Sequence, residues 1–253
     1  MSSEPIYQLT VSPDFTPSHI SGWYIFNTWL QRCLNARVHC ELYDDFESQR
    51  QAIVDDRVDL IYANPFDAAM LVREKNFTAL AKAMGVTDEC VIAVAETSHI
   101  TCLEDLKPGT RLAKTDDPDI NLIGMIMLES VDLSDDSVTP LLVDSYVLVA
   151  KALIQNNAEV GFFLKDAFNE FSGAVRKQLR PLVSSEISDI QHMLLASPRL
   201  MAHTEPLRQA LADMPKHLQG NSVLEALNFT GWQLLEQEDT EFMIDMIDTL
   251  KAK

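Results

Sequence analysis

The chain has 253 residues, of which 47% are hydrophobic, and its formal net charge is −18 at pH 7. This length supports one large domain or two lobes with separate cores, and only 8 glycines and 11 prolines argue against disorder and against a β-sandwich with many tight turns. A surface this acidic repels phosphate backbones and anionic headgroups, so we expect no nucleic acid partner and no membrane insertion.

The first half of the chain alternates strands and helices. The spacing of apolar residues predicts strands at Tyr7–Val11, Val38–Tyr43, Val58–Ala63 and Glu89–Ala95, and helices at Ile20–Leu34, from Asp44 to about Asp56, and at Phe66–Glu74. Asp44 is predicted to be an N-cap, with Glu47 three residues later. Asn64 is predicted to cap the next helix, because Pro65 suits its first position.

The second half continues the alternation and then becomes helical. Strands are predicted at Arg111–Lys114, Val138–Val143, Val160–Phe163, Pro181–Ser185 and Gln191–Ala196, and helices at Asn121–Ser130, from Asp144 or Ser145 to Asn156, and at Glu205–Met214, Asn221–Leu227 and Gly231–Lys251. Phe162 and Phe163 alternate along their strand, so Phe162 is expected in the core and Phe163 on the opposite side.

One pattern occurs twice, 100 residues apart. Residues 51–62 align with residues 151–162, with similar apolar residues at positions 52–54 and 60, an acidic residue at 59 and an aromatic residue at 62. Each copy predicts the end of an amphipathic helix, a polar turn and a short apolar strand. These three elements make up half of a βαβ unit. The repeat predicts two similar α/β lobes, and a cleft between lobes is a common place for a small ligand.

Few residues suggest covalent or metal chemistry. The four cysteines lack C-x-x-C spacing and the histidines are scattered, so we expect no metal and no cofactor. The N-terminus lacks a basic stretch followed by an apolar core, and no apolar run approaches about 18 residues. We expect a cytoplasmic location for the sequence as it stands, or a periplasmic one if a leader was removed.

Three stretches in register resemble one family. Val58–Phe66 has a strand, an Asn-Pro turn and an aromatic residue; Leu103–Ala113 contains Leu-Glu-Asp-Leu-Lys; and Asp144–Ile154 is followed by Ala158-Glu-Val-Gly161. Together they resemble the solute-binding proteins for phosphonate, phosphite and phosphate. The resemblance implies a type II periplasmic-binding-protein fold: α/β, with two lobes, each a mixed sheet flanked by helices, and a ligand cleft between them.

The resemblance also implies boundaries and a site. Lobe one would comprise residues 1–90 and 186–253, and lobe two residues 91–185. Helices beginning after Asn64, after Asp119 and at Ser145 would present N–H groups to an anion. The implied ligand-binding residues, with no catalytic residue among them, are Phe15, Tyr43, Asn64, Phe66, Thr115, Asp117, Asn121, Ser145, Tyr146 and Phe163.

The predicted ligand site differs from the family pattern. The family's serine-rich turn after Asp-Pro is Asp117-Pro-Asp-Ile-Asn-Leu122 here, so its hydroxyls are missing, and the family's histidine after serine is Tyr146. A carboxylate beside a phosphonate oxygen would repel it. The ligand is therefore either a phosphonate-like or phosphate-like anion, or an analogue with an amine that packs near aromatic side chains.

Three functions remain open from the sequence. The leading one is non-catalytic binding of a small polar solute, as in the substrate-binding proteins of ABC transporters, with a permease or a signalling protein as partner. The second is a cytoplasmic enzyme on the same fold, resembling chorismate dehydratase or a pyrimidine-precursor synthase, with an acid or base among Asp67, Asp117 and Asp144. The third is an effector-sensing domain.

Overall fold

The structure is a computed structural model and describes residues 5–15, 17–187 and 190–251. The chain divides into two compact units, Met1–Val86 with Ile190–Lys253 (unit 1) and Thr87–Asp189 (unit 2). The chain thus leaves unit 1 once and returns to it once.

The regular elements of each unit follow in chain order, apart from short 3-10 turns. In unit 1 they are β1 (Ile6–Val11), α1 (Ile20–Leu34), β2 (Arg37–Cys40), α2 (Phe46–Val54), β3 (Leu60–Ala63), α3 (Pro65–Lys75) and β4 (Thr78–Met84). Unit 2 contains β5 (Cys90–Ala95), β6 (Arg111–Lys114), α4 (Pro118–Glu129), β7 (Thr139–Leu142), α5 (Tyr146–Ile154), β8 (Val160–Leu164), α6 (Lys165–Glu170), α7 (Gly173–Arg176) and β9 (Leu179–Ser184). Unit 1 is completed by β10 (Met193–Ala196), α8 (Thr204–Asp213), α9 (Leu218–Leu227), β11 (Gly231–Leu234) and α10 (Gln237–Lys251).

Each unit contains a mixed sheet in which three adjacent strands run parallel to one another. The unit 1 sheet has the order β11-β4-β10-β3-β1-β2, in which β1 pairs in parallel with β2 and β3. The unit 2 sheet has the order β7-β6-β8-β5-β9, in which β6 pairs in parallel with β7 and β8. In each unit the parallel strands therefore end at one common edge of the sheet, where α/β proteins place their ligand contacts.

Helices cover both faces of the two central parallel strands, β3 and β8. In β3, Leu60 belongs to a core with α1, whereas Ile61 belongs to a second core with α3 and α10. In β8, Phe162 and Phe163 are both fully buried. The expectation that Phe163 would lie on the side opposite the core is therefore wrong, because a parallel strand covered on both faces buries successive side chains.

Several element boundaries differ from the sequence prediction. The N-cap of α2 is Asp45 rather than Asp44, and Asp45 accepts a hydrogen bond from the Ser48 N–H at 2.6 Å. Strand β2 ends at Cys40, so Tyr43 lies in the following loop. Strand β4 was not predicted, and the helix predicted from Gly231 is wrong in its first part, because Gly231–Leu234 forms strand β11 against β4.

The sequence repeat has the same structure in both units. The turns after α2 and α5 each contain a residue in the left-handed region, Asp56 (φ 54°) and Asn156 (φ 58°), 100 residues apart. Asp59 accepts a hydrogen bond from the Gln8 N–H at 2.9 Å, and Glu159 accepts one from the Arg111 N–H at 3.0 Å. Each acidic side chain thus joins its own strand to the first parallel strand of its sheet.

Candidate functional site

Polar side chains gather at the edge where the parallel strands of each unit end. In unit 1 this edge, here called the unit 1 edge, comprises Ser12, Asp14, Asn64, Asp67 and His192. The unit 2 edge comprises Thr115, Asp117, Asn121, Ser145 and Tyr146.

Asn64 is the N-cap of α3 and is completely buried. Its Oδ1 accepts a hydrogen bond from the Asp67 N–H at 2.9 Å, and its Nδ2 donates to Asp67 Oδ2 at 2.8 Å. Its own N–H donates to Ser12 Oγ at 2.9 Å. The predicted cap role of Asn64 is confirmed, and its polar groups already have partners within unit 1; ligand contact by Asn64 stays a prediction.

The positively charged side chain of Arg50 lies beside the start of α3. The Arg50 guanidinium donates two hydrogen bonds to Asp67, from Nε to Oδ1 at 2.7 Å and from one terminal nitrogen to Oδ2 at 3.3 Å. The same guanidinium lies 5.3 Å from the centre of the Phe46 ring. A two-point ion pair of this kind fixes the Asp67 carboxylate in one orientation and offsets its charge.

A histidine and an aspartate form the remainder of the unit 1 edge. His192 Nε2 lies 2.9 Å from Asp14 Oδ2, and both side chains are buried. The imidazole stacks on the Tyr62 ring, with centroids 5.3 Å apart. His192 precedes β10, where the chain has returned to unit 1, so residues distant in sequence meet at this edge.

At the unit 2 edge, Asp117 is the N-cap of α4. Its Oδ1 accepts hydrogen bonds from the N–H groups of Asp119 and Ile120, both at 3.1 Å, and its Oδ2 accepts one from the Tyr146 hydroxyl at 2.5 Å. Helix α4 therefore begins at Pro118, and the prediction that it begins after Asp119 is wrong. Asp117 thus joins the starts of α4 and α5.

The other polar residues of the unit 2 edge have defined partners. Asn121 Nδ2 donates to the Thr115 carbonyl at 2.8 Å, and the Thr115 hydroxyl accepts a hydrogen bond from the Asp117 N–H at 3.4 Å. Ser145 caps α5 through the Leu148 N–H. Thr115, Asp117, Asn121, Ser145 and Tyr146 therefore come together as the sequence predicts, and their contact with a ligand stays a prediction.

The aromatic residues that were predicted to contact the ligand differ in burial and in their neighbours. Phe163 has no exposed surface and packs against Phe168 and Phe171 in the core of unit 2, an arrangement that does not favour ligand contact. Phe15 and Phe66 are half-buried against the cores of unit 1. Tyr43 is half-buried in a loop, where burial and then the Glu41 carboxylate raise the pKa of its phenol.

Sequence reasoning missed Ser12, Asp14 and His192 as functional candidates. Ser12 and Asp14 follow the first strand directly, and the rule that the ends of parallel strands share one edge would have indicated them. His192 has no local signal, because it reaches the edge through a strand that pairs antiparallel with β3. Its position depends on the tertiary fold alone.

The buried thiols are not suited to nucleophilic chemistry. Burial raises the pKa of Cys40 to about 12 and raises that of Cys90 further. Both thiols are therefore protonated at neutral pH, and only a thiolate attacks or binds a metal efficiently. Among the described residues, no helix combines the length and the hydropathy needed to cross a lipid bilayer.

Comparisons with known proteins agree with this architecture. A family model described as "ABC transporter, phosphonate, periplasmic substrate-binding protein" matches residues 9–240. The chain therefore belongs to this family of substrate-binding proteins. A search of curated proteins found no match.

Solved structures share the fold at low sequence identity. A binding protein component of an ABC phosphonate transporter from Pseudomonas aeruginosa has 15% identity and a TM-score of 0.82, with 98% of this chain and 86% of that chain covered. PhnD1 from Prochlorococcus marinus, in complex with methylphosphonate, has 11% identity and a TM-score of 0.82, with 98% and 99% covered. The alkanesulfonate-binding protein SsuA from Xanthomonas axonopodis pv. citri, bound to MOPS, has 14% identity and a TM-score of 0.67, with 99% and 94% covered.

Proposed function

We propose that this protein is a non-catalytic substrate-binding component of an ABC transporter, which captures a small polar solute and delivers it to a permease. The family match over residues 9–240 is the observation that carries the proposal. The family description also supports a periplasmic place of action, which fractionation of cells expressing the native gene would test.

The chemistry of the two edges supports binding rather than catalysis. The Asp117 carboxylate caps α4 and accepts a hydrogen bond from the Tyr146 hydroxyl. The Asp67 carboxylate accepts hydrogen bonds from Arg50 and from Nδ2 of Asn64, the N-cap residue of α3. A general acid or base needs a proton that it can exchange with a substrate. Carboxylates fixed in this way position backbone and side chains instead. The sensor and signalling roles gain no support from the comparisons.

A ligand screen tests the proposal directly. Purified protein is first examined by native mass spectrometry for a retained small molecule, and then by thermal shift with methylphosphonate, phosphate, methanesulfonate and small amines. A ligand at free concentration L that binds the folded state stabilises it by RT ln(1 + L/Kd), so the melting temperature rises with the logarithm of the ligand concentration above Kd. If no compound of any class stabilises the protein at millimolar concentration, and none is retained, the proposal fails.

A pair of tyrosine variants then locates the site. Tyr146→Phe removes only the hydroxyl that donates to Asp117, so we expect a weaker affinity for the identified solute with little change in fold. Tyr24→Phe is the matched control, because Tyr24 is half exposed on α1 in unit 1. An equal loss of affinity in both variants would contradict placement of the site at the unit 2 edge.

A further inference from the structure

The start of α4 has no backbone donor to offer an anion. Pro118 lacks an N–H, the N–H groups of Asp119 and Ile120 both donate to Asp117 Oδ1, and the Asn121 N–H donates to the Asp117 carbonyl at 3.1 Å. Anions bind at helix starts because N–H groups there lack partners. Here the helix satisfies those groups itself, and no serine or threonine occupies positions 118–122.

Asn121, in the first turn of α4, offers an acceptor instead. Its Nδ2 donates to the Thr115 carbonyl at 2.8 Å, and a carbonyl can only accept, so the orientation of the amide is fixed. Its Oδ1 is buried and has no hydrogen-bond partner within the described part of the chain. A buried acceptor without a donor destabilises the fold, and a bound donor would remove that penalty.

A second acceptor of the same kind lies at the carboxyl end of β1 in unit 1. Gln49 is completely buried, and its Nε2 donates to the Val11 carbonyl at 2.6 Å and to the Thr10 hydroxyl at 3.3 Å. The Val11 carbonyl fixes the orientation of the Gln49 amide, since a carbonyl only accepts. Gln49 Oε1 has no hydrogen-bond partner in residues 5–15, 17–187 and 190–251. Each unit thus has a buried amide oxygen in need of a donor near its polar edge.

The charge beside Asn121 has the sign that favours a cation. Asp117 and Asp119 are each about 2% exposed, and a carboxylate removed from water attracts a positive group more strongly than an exposed one. If the proposed function holds, these observations define the class of solute. We propose that the solute presents an ammonium or guanidinium N–H to Asn121 Oδ1, and that this end of the site excludes phosphonate and other oxyanions.

The test compares two classes of probe on the intact protein by isothermal titration calorimetry. The cations are ethylammonium, ethanolamine and agmatine, and the anions are methylphosphonate and phosphate. We expect wild-type protein to bind at least one cation, and to bind neither anion at millimolar concentration. Asn121→Leu, which keeps the volume of the side chain but removes the acceptor, should weaken binding of that cation about tenfold or more.

Asn157→Leu is the matched control, because Asn157 is an exposed asparagine of the same unit, and it should leave the affinity unchanged. Circular dichroism and the melting temperature establish that each variant is folded; the wild-type selectivity does not depend on any variant. Binding of methylphosphonate or phosphate by wild-type protein would overturn the inference while upholding the proposed function. Binding of neither class would also overturn the inference, whereas the proposed function fails only if methanesulfonate does not stabilise the protein either and no small molecule is retained.

Discussion

One carboxylate organises the start of two helices in unit 2. Asp117 accepts two N–H groups of α4 and the hydroxyl of Tyr146, and the side chain is buried. We expect Asp117→Ala to lower the free energy of unfolding in urea by about 1–3 kcal/mol, because a lost N-cap and a buried hydroxyl without its acceptor both destabilise. Asp116→Ala, an exposed neighbour, should change it by less than about 0.5 kcal/mol. Equal effects would contradict the cap role.

The N-cap of α2 predicts a dependence on pH. Hydrogen bonds from the Ser48 N–H and hydroxyl lower the pKa of Asp45. A depressed pKa in the folded state means that Asp45 contributes stability above its unfolded pKa and loses that contribution as pH falls through the folded value. Asp45→Asn should therefore be less stable than wild type at pH 7, and the difference should shrink in urea titrations toward pH 3. Asp44→Asn, which removes a neighbouring negative charge but leaves the Asp45 cap in place, is the control variant at pH 7.

At the scale of the element, close packing of α1 on α9 depends on a glycine. A Cβ at Gly22 would lie 2.3 Å from the carbonyl oxygen of Ala226, and backbone cannot move aside as a flexible side chain can. We expect Gly22→Ala to lower the free energy of unfolding by about 1–3 kcal/mol, the usual cost of overpacking. Gly173→Ala on α7 meets open space and should be neutral or slightly stabilising. A neutral Gly22→Ala would show that the two helices can separate at little cost.

Elements whose signal is local could be predicted from the sequence, and others could not. Helix α1 and strand β6 have the predicted bounds. The helical spacing of apolar residues marks α1, and charged residues at both ends mark β6. Strand β4 was missed because Ala, Leu, Lys and Met in Thr78–Met84 favour a helix intrinsically; the strand forms because β10 and β11 pair with its two sides. Long-range pairing of this kind leaves no pattern in the segment itself.

The same distinction holds for the candidate site. Asn64 and Ser145 could be identified as caps, since a cap residue and the helix it begins are adjacent in sequence. The contact of Asp14 with His192 spans 178 residues, and no motif joins the two. The bond between Tyr146 and Asp117 likewise follows from the neighbouring positions of β6 and β7 in the sheet, which bring the starts of α4 and α5 together.

At the scale of the whole molecule, unit 2 is one uninterrupted segment with its own sheet and core. We expect the fragment 87–189 to fold alone, with dispersed amide resonances and cooperative unfolding, because its buried apolar residues contact one another. The sequence prediction placed this lobe at 91–185. That shorter fragment omits Cys90, whose N–H donates to Ser185 Oγ at 2.9 Å, and Glu89, whose carboxylate accepts the Ser185 hydroxyl.

The fragment 91–185 should therefore be less stable than 87–189, because Ser185 loses both partners and β5 loses its first residue. Urea unfolding of the two fragments, followed by circular dichroism, measures the difference. Ser185→Ala in the fragment 87–189 is the control, since it removes the same hydroxyl without shortening the strand. If 91–185 is as stable as 87–189, the boundary lies inside β5, and the residues before Val91 contribute nothing to unit 2.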